Sequence, residues 1–173
     1  MAGSLIKIDE EIVSSAVASV TLTGIDSTYD VYMVTVIGAE MSSLVDIPFR
    51  FTVSGTADSS SNYDYASKRL VASSSFFNIS AANQAQIDMS VGVFGSNDLA
   101  MYNIYIFNAN NASEYTFCTL EGVSTSDGTA KVQGDMGGGV LTVAQATDGI
   151  QFFDNGATAN ITSGTFTLYS LAK

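Results

Sequence analysis

Apolar and polar residues alternate in short runs along this chain, and each run closes on a turn signal. Val20 and Leu22 alternate with Thr21 and Thr23 before Gly24-Ile25-Asp26. Phe49, Phe51 and Val53 alternate with Arg50, Thr52 and Ser54. In Gln86–Val93, Ile87, Met89, Val91 and Val93 alternate with Asp88, Ser90 and Gly92. Period-two alternation puts one side-chain set on each face of a strand, so these segments predict half-buried strands. Val31–Ile37 (VYMVTVI) is apolar nearly throughout, as in a central strand covered on both faces. Met101–Phe107, Tyr115–Leu120, Val140–Val143, Ile150–Phe153 and Thr165–Leu171 complete the set. Phe49, Phe51, Val53, Ile87, Met89 and Val91 are the expected core.

Helical periodicity is weak. Only Ser80–Gln86 (SAANQAQ) reads as a short helical turn, and no apolar stripe at helical spacing lasts beyond two turns. Helix content is therefore expected below about 15%, far under the usual third. Ala57–Tyr65 and the Gly-rich Ser124–Gly139 are the expected long loops, the second the more mobile. The gaps between strands are too short for helical crossovers, which favours antiparallel pairing. The expected fold is all-β: a single antiparallel β-sandwich, jelly-roll-like, over 14–173. Residues 1–13 read as a short N-terminal arm or edge strand. There Leu5, Ile6 and Ile8 are too apolar for a free tail, while Asp9-Glu10-Glu11 oppose burial of the next turn. Leu5, Ile6 and Ile8 are accordingly the expected assembly contacts.

Composition sharpens this class. The 173 residues include 39 Ser and Thr, 15 Gly and one Pro, a bias against helix and toward strands and turns. Only 13% are charged, about half the usual share, and the net charge is −11. The six cations are Lys7, Arg50, Lys68, Arg69, Lys131 and Lys173, with one adjacent pair. That is too little to track phosphates, so no nucleic-acid partner is expected. The apolar runs are too short for a membrane-spanning helix, and the N-terminus lacks the features of a secretory signal. No membrane partner is expected.

The chain has no His, which removes Ser-His-Asp and Cys-His catalysis and His-containing zinc sites. Cys118 is its one cysteine. Asp58-x-Ser60-x-Asn62-x-Asp64 spaces oxygen side chains as a calcium loop does. Yet Tyr63 stands at the sixth position, where such a loop needs Gly, and Arg69 at the twelfth, where it needs Glu. A solvated loop is the simpler reading, and no metal is expected. Asp26/Asp30, Asp127/Asp135 and Asp148/Asp154 are the carboxylate pairs open to glycosidase chemistry. Asp26, Asp127 and Asp148 sit beside Gly, Ser or Thr at strand ends, where Asx turns want an acid. No catalytic residue and no cofactor is expected. Gly134 and Gly137–Gly139 do not open a helix, so they make no phosphate cradle. Tyr63 and Tyr65 are the candidates for a sugar-stacking pair. The sequons at Asn78, Asn111 and Asn160 are of the number that chance supplies in so Asn-, Ser- and Thr-rich a chain.

Ser14–Glu40, with Val-x-Leu-Thr-Gly-Ile-Asp-Ser-Thr-Tyr-Asp-Val-Tyr at its centre, resembles the opening of small virion structural proteins of tailed bacteriophages, notably those of cyanobacteria. Gly149–Phe153 and Asn160–Tyr169 resemble their end, where Leu-Tyr-Gly is common and Ser170 here takes the Gly place. The resemblance implies a β-sandwich on the virion with no catalytic residues to transfer. The expected partners are other virion proteins, either the major capsid protein or tail proteins, and further copies of the chain in a homo-oligomer. The expected place is the virion, assembled in the host cytoplasm. A capsid decoration (cement) protein is the first expectation. A tail or fibre component that contacts the host surface, or a carbohydrate-binding module, is the alternative. A surface with few ions loses little hydration on assembly, which suits such a role.

Overall fold

A computed structural model describes residues 4–72, 76–89, 98–126 and 131–171. Among them there is no helix, and the strands are β1 (Leu5–Val13), β2 (Ser19–Thr23), β3 (Val31–Met41), β4 (Phe49–Val53), β5 (Thr56–Ala57), β6 (Tyr63–Val71), β7 (Phe76–Gln84), β8 (Ala100–Phe107), β9 (Thr116–Ser126), β10 (Lys131–Leu141), β11 (Gly149–Phe153) and β12 (Ile161–Leu171). They form an eight-stranded sheet, β1-β12-β3-β8-β9-β10-β6-β7, and a four-stranded sheet, β2-β11-β4-β5. All pairings are antiparallel. The fold is an all-β sandwich. A jelly roll has eight strands in two Greek keys, whereas the described strands divide eight and four.

The alternating residues of the two inner faces make the core. Tyr32, Val34 and Val36 of β3, Tyr102, Ile104 and Ile106 of β8, and Phe166 and Leu168 of β12 are buried with Leu22, Phe49, Phe51, Ile150 and Phe152 of the small sheet. Aromatic rings join the layers: Phe152 lies 6.0 Å from Phe49 and 5.2 Å from Phe166, centroid to centroid. Such offset pairs add to the area term, which is itself about 1.5–3 kcal/mol per buried large side chain. Where the β8–β9 pair faces inward, Tyr102 lies opposite Gly122, and a Cβ at 122 would meet the Tyr102 ring. The glycine makes room for the ring. The β4–β5 hairpin turns through Ser54 (φ 52°) and Gly55 (φ 75°), the left-handed pair that a two-residue hairpin loop needs.

Four expected core residues, Phe49, Phe51, Ile87 and Met89, are fully buried. Val53 is half-buried at the end of β4, and Val91 lies outside the described residues. Several boundaries differ from expectation. Gln86–Met89 is not a strand: Ile87 makes one bridge to Phe49, and 90–93 lie outside the described residues. Ser80–Gln84 belongs to β7 and is not helical. The Ala57–Tyr65 loop is shorter than expected, because β5 ends at Ala57 and β6 begins at Tyr63. The Gly-rich segment is strand: β10 runs Lys131–Leu141 between β9 and β6. Its glycines let the strands approach closely, since a Cβ at Gly138 would fall 2.5 Å from the Cys118 carbonyl oxygen of β9. Residues 5–13 pair along their length with β12 of the same chain, with a register shift between Lys7 and Asp9. They are the edge strand of the chain's own sheet rather than a free arm.

Candidate interaction face

The outer face of the large sheet carries apolar side chains in register across its strands. Cross-strand pairing aligns Ile12 with Thr165, Thr165 with Ile37, Ile37 with Met101, and Met101 with Val123. The row continues from Val123 to Gly134, Leu70 and Phe76. It therefore crosses all eight strands. Ile12, Ile37, Met101, Val123, Leu70 and Phe76 are exposed, from 38% at Leu70 to 70% at Phe76. Two residues along the strands, the next row runs Thr35, Asn103, Glu121, Met136, Lys68 and Asn78. Between the rows lies a shallow groove of about 450 Å³, walled by Thr35, Ile37, Met101, Asn103, Glu121 and Val123. A neighbouring groove of about 280 Å³ is lined by Tyr105, Thr119 and Met136 among others. An exposed apolar row of this length on one sheet face makes it the candidate interaction surface.

The face ends at β1, whose far edge pairs with no other strand among the described residues. Leu5 and Ile6 are exposed there. Ile8 is half-buried against the core, and its Cγ2 would lie 2.8 Å from a Cβ at Gly24. The bulge between Lys7 and Asp9 turns Ile8 inward. Of the three expected assembly contacts, Leu5 and Ile6 are available and Ile8 is committed to the chain's own interior.

The carboxylates serve local structure. Asp26 accepts from the Thr28 N–H (2.8 Å) and the Tyr32 hydroxyl (3.1 Å). Asp148 accepts from the Thr52 hydroxyl (2.6 Å) and the Gly55 N–H (2.8 Å). Asp154 accepts from the Gly156, Thr158 and Ala159 N–H groups and the Thr158 hydroxyl. Burial pushes Asp154 upward, but those donors outweigh it and hold its carboxyl below the usual range. Asp127 lies outside the described residues.

Asp58, Ser60 and Asn62 line one cleft, with Asn62 Nδ2 donating to the Ser60 hydroxyl (2.9 Å), and Asp64 does not line it. Asp58 accepts from the Ser60 N–H (2.9 Å) and Gln145 Nε2 (2.5 Å), whereas Asp64 accepts from the Asn83 N–H (2.8 Å). Tyr63 is fully buried: its hydroxyl accepts from the Phe51 N–H and donates to the Asp58 carbonyl. Tyr65 donates to Asp88 Oδ2 at 2.6 Å. Both lie on β6, not in a loop, and Tyr63 presents no ring for a sugar. Cys118 is buried in β9, and burial pushes its thiol up to about 12.

One polar cluster escaped the sequence. Asp46 lies near Arg69, Asp88 and Asp135. Burial first raises the Asp46 carboxyl, Arg69 opposes that, and Asp88 and Asp135 reinforce it. These residues come from four separate segments, so no local spacing announces them. Among the described residues no three acids or thiols are placed to hold a metal.

No protein-family model matches the chain, and neither does any curated protein or solved structure. Within the chain, the two stretches that carry the bacteriophage resemblance are spatial neighbours. Val20–Thr23 pairs with Gly149–Phe152 in the small sheet, and Tyr32–Ile37 with Thr165–Ser170 in the large one.

Proposed function

We propose that this is a non-enzymatic structural protein of a tailed-bacteriophage particle, most specifically a capsid decoration (cement) protein acting through subunit contacts. The observation that carries the contact role is the exposed apolar row crossing the outer face from Ile12 to Phe76. The virion setting rests on the resemblance of Ser14–Glu40, Gly149–Phe153 and Asn160–Tyr169. In the fold these segments pair with one another in both sheets. The unmatched stretch between them contributes β4 to β10, and with them the β8–β7 half of the face. Partners are then the major capsid protein or tail proteins. The tail reading uses the same surface and differs in copy number. The carbohydrate reading loses its stacking pair to the burial of Tyr63.

The test is a particle-binding assay with the purified chain and the variant Leu5→Glu/Ile6→Glu. Both side chains are exposed on the β1 edge, so the fold and its melting temperature should hold. Two new charges per copy on an apolar contact should reduce particle binding by roughly tenfold or more. Particle binding equal to that of the parent would remove the β1 edge from the contact.

A further inference from the structure

We propose that the β8–β9–β10–β6–β7 part of the outer face binds a second copy of this chain about a two-fold axis running along β10. The argument is one of register. When two sheets meet face to face about an in-plane two-fold axis, a residue one strand to one side of the axis meets the residue one strand to the other side. With β10 on the axis, β9 meets β6 and β8 meets β7. The central polar row then places Glu121 of β9 against Lys68 of β6, twice per dimer, since both pair with Met136. The apolar row places Val123 against Leu70, and Met101 against Phe76. Asn103 meets Asn78. On the axis itself Met136 and Val132, 55% and 52% exposed, meet their own copies.

Charge singles out this occupant. The chain carries −11, so most of its surface repels a second copy. Among the described residues of these five strands, on the outer-face rows from Val132 to Gly138, the groups charged at neutral pH are Glu121 and Lys68, of opposite sign. Glu121 makes no hydrogen bond or ion pair among the described residues, and Lys68 donates to Asn78 at 3.0 Å. The two-fold turns both into complementary partners. Shape agrees: Phe76, the most exposed large apolar residue, is carried to Met101, which walls the groove of about 450 Å³. Five strands by four rows span roughly 24 by 27 Å. That is about 650 Å² per copy, or about 1,300 Å² over both copies, above the roughly 1,000 Å² total that a specific interface needs. The inference goes beyond the virion reading and does not rest on it.

Sedimentation velocity of the full chain across a concentration series tests it. A dimer is expected, and a parent that stays monomeric throughout would overturn the proposal. Glu121→Lys and Lys68→Glu should each raise the dissociation constant roughly tenfold or more, because each puts two like-charged pairs in the interface. Mixed together, the two single variants should form a heterodimer at least as readily as the parent dimerises, every pair again being of opposite sign. A mixture as weak as its components would refute this register. Unchanged melting temperatures separate lost association from lost folding. A second variant, Met136→Cys, brings the introduced thiols together on the axis. A bismaleimide of about 10 Å span, the usual spacing of packed sheets, should link it as a dimer. Buried Cys118 should stay silent. No cross-linked dimer at concentrations where sedimentation shows one would place the interface elsewhere.

Discussion

Phe152→Ala probes the joint between the two sheets. Phe152 sits in β11, fully buried, with its ring 6.0 Å from Phe49 in the same sheet and 5.2 Å from Phe166 in the opposite one. Truncation removes contacts to both layers and leaves a cavity that neither backbone can close, because each is held in its own ladder. The expected loss is about 3–5 kcal/mol. At this chain length each kcal/mol lowers the melting temperature by about 2–4 °C, so the drop should be roughly 6–20 °C. Phe77→Ala is the control: the same chemistry on the edge strand β7, at a side chain 50% exposed. It should cost no more than about 1 kcal/mol. Urea denaturation followed by circular dichroism gives both values from the midpoint shift at constant slope. Equal losses for the two variants, or a Phe152 loss under about 1 kcal/mol, would refute the sandwich joint.

Other consequences follow from particular residues. Cys118 is buried with its thiol pushed up to about 12, so a thiol reagent at pH 8 should label it only as fast as the chain opens, and at once in denaturant. Fast labelling of the folded chain would contradict the placement of β9. The Asp154 carboxyl is held below its ordinary range, so it contributes stability above its unfolded pKa and loses it as pH falls through the folded value. Stability measured between pH 5 and 2 should therefore fall less steeply below about pH 4 in Asp154→Asn than in the parent. Identical slopes would mean that the Asp154 turn is not formed. Deleting residues 2–9 removes the Leu5–Leu171 to Asp9–Leu168 pairings, so the melting temperature should drop. An unchanged melting temperature would make β1 dispensable to the domain.

What the sequence disclosed follows burial. β2, β4, β8, β11 and β12 each put one face on the core, and the alternation of their apolar residues is plain in the chain. β6 and β7 extend past the four-stranded sheet. Nothing in β7 is buried, and Tyr63 alone is buried in β6, so neither shows a core-facing alternation. β10 was concealed by its glycines, which here serve close strand approach instead of a turn. Ile87 and Met89 are buried as their pattern implies, yet they reach the core from an irregular segment rather than a strand. The interaction face was only partly legible. Leu5 and Ile6 stand out locally as unexplained apolar residues. The row from Ile12 to Phe76 draws one residue from each strand, and only the registers bring them together.

Quantitative mass spectrometry of purified particles tests the central claim most directly, by counting copies of this chain per particle. A capsid decoration protein that repeats with the lattice should appear on the order of hundreds of times. A count near a dozen would move the same contact role to the tail. Absence of the chain from particles, with the protein left free in the lysate, would contradict the virion account.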